Sequence, residues 1–394
     1  MRDFVPKNRV SGHDQFFATF DRFRGASTTA NMAGEVVARA GRQGMRYMEL
    51  MTTFQGSALG KLADAVNQRT AWTGEMAAFQ AALIAGGLSD LVQRAAAEAN
   101  ALDRALQEEL RCWAEDASPG CGVTVRWLQQ VIRTDPPWRV YAQIVFGALL
   151  AQATPKVVGL DLVAPEDHPV ALADYKLHMR MLDHVYRTWP ETNITLHAGE
   201  LALGLVPPED LLFHITDAVE LGHARRIGHG VAIMYEADPF RLLEVMARRK
   251  VAVEINLTSN AQILRVDGRD HPFPVYRQYG VPTVLSTDDE GVERIDRTHE
   301  LQRAVTTYGL SWSDLVGMER NTLEYAFLPG ASLWADTRNW RMIPACEAAP
   351  PASAPPAACA AFLQGSEKAR LQWSLERDLV EFDRVAAAMR PRVQ

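Results

Sequence analysis

Ile194-Thr195-Leu196-His197-Ala198-Gly199-Glu200 is a short apolar run that stops on a histidine, turns through a glycine and leaves a carboxylate three residues further on. Branched residues favour extended backbone, and an unbroken apolar run suits a strand buried on both faces. The histidine and glutamate then fall at the carboxyl end of that strand, facing one cavity. The pattern recurs. Runs at 157–162, 194–196, 226–229, 251–255 and 282–286 end near Asp161, His197, His229, Asn256 and Asp288, at intervals of 36, 32, 27 and 32 residues. A strand, loop, helix and return loop occupy about 30 residues, and helical sequence separates the runs at 171–187, 208–221, 240–249 and 298–308. Two earlier runs, 45–51 and 123–128, bring the predicted strands to seven. Consecutive βα units of this kind predict a TIM-type (β/α)8 barrel, whose site lies at the carboxyl ends of the strands.

Around the barrel, 13–23 and 28–40 read as helices ahead of the first visible strand, and 72–113 reads as a long helical stretch packed outside. A Pro/Ala-rich segment at 345–361 reads as a loop, followed by a helix over 365–389 docked on the barrel. The predicted domains are therefore a barrel over 1–335, with a helical insertion at about 72–116, and an extension over 336–394.

At 394 residues, 47% hydrophobic and 23% charged, the composition is that of a globular protein with a large core. A net charge of −7 and the lack of a basic stripe argue against nucleic-acid or anionic-membrane partners. No apolar run reaches the ~18 residues of a membrane helix. Met1–Lys7 carries no apolar core of a signal peptide. The four cysteines form two close pairs, Cys112/Cys121 and Cys346/Cys359, bracketing Gly- or Pro-rich loops. They suit local disulfides in an oxidising compartment, or stand as four unrelated thiols.

Histidines, a glutamate and paired aspartates at strand ends are the donor set of a metal-assisted hydrolase. His197 is a candidate zinc ligand, Asp288 a second, Glu200 a general acid, His229 a residue that orients or deprotonates the attacking water, and Asp289 a substrate contact. Each has a structural alternative: Asp289 caps the following helix, and the glycines beside His229 shape a turn. Asp161 reads either as a support behind the site's ligands or as structural, with structural favoured, Glu49 as lining the barrel or pairing with an internal arginine, and Ser259-Asn260 as a substrate contact or a cap. His178, His184, His214 and His223 read as ordinary helix residues.

His197-Ala198-Gly199-Glu200, Arg226-Ile227-Gly228-His229-Gly230 and Ser286-Thr287-Asp288-Asp289 resemble, in order and spacing, three signatures of the adenosine/AMP deaminase family. Residues 254–260, His271-Pro272 and 320–327 look most like the branch related to secreted adenosine deaminase growth factors. The resemblance covers about residues 10–335 and is most specific across 195–330. It implies one zinc ion held by His197 and Asp288, protonation of purine N1 by Glu200, assistance to the attacking water by His229, a contact from Asp289 to N7, and a backbone N–H from Gly199 to the ring. The implied reaction converts adenosine to inosine and ammonia. Adenine, AMP or a modified nucleoside is the alternative substrate, and a non-catalytic purine- or partner-binding remnant the alternative class. The implied partner is a small purine nucleoside, with a second copy of the chain left open.

The family begins its barrel with a strand ending His-x-His, which supplies two more zinc ligands. No His-x-His occurs in this sequence. Ser11-Gly12-His13-Asp14-Gln15-Phe16-Phe17 resembles the family's segment just after that strand. The expectation is a barrel lacking its first strand, arising from an internal start or from a degenerate product. A longer precursor would also be the form open to export.

Overall fold

The computed structural model describes residues 10–23, 25–348, 351 and 353–389. The start at Met1–Lys7, and Ala349, Pro350 and Ala352 of the Pro/Ala segment, lie outside them. Two compact units divide the chain after Leu310. In the first, α1 (Gly12–Phe23) and α2 (Thr29–Arg42) precede β1 (Tyr47–Thr52), then α3 (Gly56–Arg69), α4 (Met76–Ala85), α5 (Leu88–Glu109), β2 (Thr124–Ile132), α6 (Pro137–Ala153), β3 (Val157–Val163) and α7 (Pro169–Thr188). Next come β4 (Thr195–Ala198), α8 (His214–Glu220), β5 (Arg226–His229), α9 (Pro239–Arg249), β6 (Ala252–Ile255), α10 (Leu257–Ile263), α11 (Phe273–Gln278), β7 (Thr283–Leu285), α12 (Glu290–Glu293) and α13 (Arg297–Tyr308). All seven predicted strands are present.

Every pairing among these strands is parallel. They run β1-β2-β3 and β4-β5-β6-β7, and a parallel bridge, Leu160 to Ile194, joins the two sets. Helices cover the outer face, as parallel strands require; α6 buries Ile144, Val145 and Phe146 completely. The sheet is strongly curled. In a flat sheet β1 and β5 would lie roughly 19 Å apart, at about 4.8 Å per strand. Instead Arg226 Nη2 on β5 reaches Glu49 Oε2 on β1 at 2.6 Å, across the interior. This is the internal-arginine partner anticipated for Glu49. Among the described residues β7 and β1 do not pair. There α2, which leads into β1, sends Arg39 to the Glu290 carboxylate and to the Ile295 carbonyl just beyond β7. α1 lays Phe16 against Val231, Ile263, Leu264 and Val292, from segments following β5, β6 and β7.

The predicted helix over 72–113 is two helices, because Gly86-Gly87 breaks it, with Gly87 at φ +106°. Only glycine enters that region without strain. α3 is an element that the sequence reading left unassigned.

The second unit holds α14 (Trp312–Glu324), a hairpin of β8 (Trp334–Asp336) and β9 (Arg341–Met342), α15 (Pro344–Glu347), α16 (Ala357–Gly365) and α17 (Glu367–Met389). α17 packs on α14 through a two-pronged Arg320–Glu376 pair, 2.7 Å at each contact. The Pro/Ala-rich segment is not wholly loop. Ala357, Ala358, Ala360 and Ala361 fall in the first turns of α16, and Cys346 is bonded to Cys359 within a core of Leu333, Trp334, Leu363 and Trp373. Cys112–Cys121 is the second disulfide, so both cysteine pairs are closed.

Candidate active site

The carboxyl ends of β3 to β7 converge on one group. His197 closes on Asp288 and His229 so that a ligand atom from each lies within 4.8 Å of the others. His229 Nδ1 is 3.7 Å from Glu200 Oε1, and its Nε2 is 3.9 Å from Asp288 Oδ2.

His197 is oriented by Asp161 of β3. One Asp161 oxygen accepts the His197 backbone N–H at 3.0 Å and the other lies 2.9 Å from the ring Nδ1. Burial opposes a charge on this ring, but the Asp161 carboxylate prevails and pushes its pKa up to about 10. With Nδ1 turned to Asp161, Nε2 is the ring nitrogen left for a ligand, a common arrangement for metal-binding histidines. Asp161 therefore does more than fill the strand.

Asp288 adopts φ +53°, a left-handed conformation that costs a non-glycine residue about 1 kcal/mol or more and concentrates at functional sites. Ser259 Oγ donates to Asp288 Oδ2 at 2.7 Å, so Ser259 serves the site rather than a helix end. Asp289 stands at the N-terminus of α12, yet its side chain makes no capping bond. Burial, and then the adjacent Asp288 charge, push its carboxyl up to about 8. Glu200 is raised well above the carboxylate range, first by burial and then by Asp288. Both influences favour its protonated form, the form a general acid requires.

Glu166, in the loop after β3, escaped the sequence reading. Its oxygens accept the backbone N–H groups of Gly199 at 3.0 Å and Glu200 at 2.8 Å, and His214 Nδ1 lies 2.6 Å away. Burial alone would raise this carboxyl, but the His214 partner and the backbone donor hold it low. Two expectations are corrected here. The Gly199 N–H, expected to face the substrate, is already committed to Glu166. His214, read as ordinary, anchors the turn that carries Glu200. The one available signal was position: Glu166 trails the end of β3 much as Glu200 trails β4. Glu236, beyond β5, completes the anchorage by accepting the backbone N–H groups of Ile215 at 2.6 Å and Thr216 at 3.3 Å.

Gly199 is required here. Its φ is +69°, and an added Cβ would lie 2.6 Å from Ile215 Cδ1. Gly199→Ala is expected to destabilise the first unit by about 1–3 kcal/mol, read as a lower denaturant midpoint. An unchanged midpoint would mean that the turn is looser than this.

The sequence matches the adenosine deaminase family profile over residues 12–333. Adenosine deaminases of Salmonella dublin and Vibrio cholerae are 38% and 37% identical over 137 residues, 34% of this chain. The match spans 38% of the length of these curated relatives. Among solved structures, the adenine deaminase from Arthrobacter aurescens superposes with a TM-score of 0.55 at 17% identity, covering 83% of this chain and 86% of that one. That likeness supports the shared barrel fold. The profile match covers most of the sequence and includes every residue of the convergent group. The chain belongs to the adenosine deaminase family.

Proposed function

We propose that this chain hydrolyses the 6-amino group of a purine nucleoside, taking adenosine and water to inosine and ammonia. The observation that carries the reading is the placing of Glu200 beside His229, in the group formed with His197 and Asp288, where burial and then the Asp288 charge push its carboxyl towards the protonated form. A protonated carboxyl in that position gives its proton to purine N1 and makes C6 electrophilic. Asp289, its carboxyl pushed up to about 8 by burial and then by Asp288, hydrogen-bonds N7 in this reading. His229 faces the attacking water. Asp161 and Glu166 hold the His197–Glu200 turn in place.

The donor types suit zinc, an imidazole whose Nδ1 is turned to a carboxylate beside an aspartate, but zinc takes three or four protein ligands, and among the described residues the group adds only His229 to these two, so binding is expected to be weak. His197 and Asp288 would hold the ion. When bound, it supplies a water acidic enough to act as a nucleophile near neutral pH. Asp288→Ala is expected to lower zinc content, measured by mass spectrometry of the protein after gel filtration. Retention of wild-type zinc would remove Asp288 from the ligand set.

The direct test is ammonia release from adenosine, adenine and AMP by the chain with zinc supplied. Preference for adenosine supports the nucleoside reading, and preference for adenine or AMP moves the substrate within the same chemistry. No release from any of them, with zinc bound, would overturn it.

A further inference from the structure

We infer that Asn260 and His271 are positioning residues that commit His229 to one neutral tautomer, with its proton on Nε2. The inference rests on the reading of His229 as part of the deaminase site. The backbone N–H of Phe273 can only donate. It reaches His271 Nδ1 at 3.1 Å, so that nitrogen presents a lone pair. The proton of neutral His271 is therefore on Nε2, which lies 3.0 Å from Asn260 Oδ1. An amide oxygen only accepts, so the contact is satisfied. It also fixes the amide, turning Nδ2 towards His229 Nδ1 at 2.8 Å. An amide nitrogen only donates. His229 Nδ1 must accept, and its proton is left on Nε2, the nitrogen that faces Asp288.

The alternative register fails at both ends. Turning the amide over would set its NH2 against His271 Nε2–H, a donor facing a donor. Moving the His271 proton to Nδ1 would only shift the clash to the Phe273 N–H. His229, Asn260 and His271 are at most 2% exposed, so water does not repair a mismatch. A buried unpaired donor costs about 1–3 kcal/mol. Burial also keeps His271 neutral, with a pKa pushed down to about 4. Glu200 Oε1, at 3.7 Å from His229 Nδ1, is too distant to compete for it.

The His197 ring lies 5.5 Å away, centroid to centroid, with its Nδ1 2.9 Å from Asp161. His229 has its lone pair directed to Asn260 and presents an N–H. His229 is then neither a metal ligand nor a proton acceptor in the resting site. It donates to the oxygen of the attacking water and so aims that oxygen's lone pair at C6.

The test is a long-range proton–nitrogen correlation spectrum of the full chain with 15N-labelled imidazoles, with the His229 ring assigned through its own backbone. The proton is expected on Nε2 of both His229 and His271. In Asn260→Asp the carboxylate only accepts, so the His229 proton is expected to move to Nδ1 while His271 is unchanged. Turnover in that variant is expected to fall about 10²-fold in kcat, with KM within about twofold. A purely structural role would lower stability without moving the proton. The idea is overturned if wild-type His229 carries its proton on Nδ1, or if Asn260→Asp leaves the proton on Nε2. Should the variant not fold, the wild-type spectrum decides alone. None of these spectra needs turnover, so failure of the deaminase reading would show separately, as a correct tautomer in a protein that releases no ammonia.

Discussion

Glu200→Gln is expected to lower kcat for adenosine by about 10²–10⁴-fold while leaving zinc content unchanged. The amide is nearly isosteric and cannot deliver a proton to N1. It is also uncharged, like the protonated carboxyl it replaces, so burial against Asp288 should cost the variant nothing. The anchoring contact of the turn is made by the Glu200 backbone N–H to Glu166, and the substitution leaves it in place. Loss of turnover should therefore appear without loss of fold. The check is ammonia release beside metal analysis and a thermal melt on one preparation. Wild-type turnover would remove Glu200 as the acid, and simultaneous loss of zinc would mean that it helps hold the metal.

Arg226→Leu is expected to cost about 3–5 kcal/mol of stability, the usual consequence of stranding buried partners of a removed charge. Arg226 donates through Nε to Glu254 and through Nη2 to Glu49, both at 2.6 Å, deep inside the curled sheet. Tyr47 donates to the other Glu49 oxygen at 2.7 Å. Without the guanidinium, two carboxylates remain in the barrel interior and at least one must take up a proton. The triple variant with Glu49→Gln and Glu254→Gln should recover part of the loss, because no charge is then stranded. Urea denaturation of the three proteins reads this directly. A loss below about 1 kcal/mol for Arg226→Leu would mean that water reaches the pair, since exposed pairs contribute that little.

The strands were legible because Val, Ile and Leu runs ending in a polar residue are hard to read as anything else at a spacing near 30. His197, Glu200, His229, Asp288 and Asp289 were legible for the same reason, since each follows such a run. Glu166 and His214 were not, because a carboxylate in a Pro-containing loop and a histidine opening a seven-residue helix look like surface residues until burial is known. The relay through Asn260 and His271 depends on two segments meeting in space, and the chain order carries no mark of it. The break between α4 and α5 was hidden by Leu/Ala periodicity on either side, although the paired glycines were its signal. In the Pro/Ala-rich segment the prolines point to loop, but alanine decides the fate of Ala357–Gly365.

The anchorage of α8 bears on how the site breathes. Glu166 holds the amides of Gly199 and Glu200, its partner His214 opens α8, and Glu236 holds the amides of Ile215 and Thr216. Tyr175 closes the circuit by donating to the His214 carbonyl at 2.6 Å. No one of these bonds can open far without loosening the next. In amide hydrogen exchange the four N–H groups should therefore behave as a single cooperative unit, with one shared opening free energy. Glu166→Ala should then speed exchange at Thr216 as well as at Gly199, although it touches only the second. Independent exchange at the two ends would mean that the loops after β4 and β5 fluctuate separately.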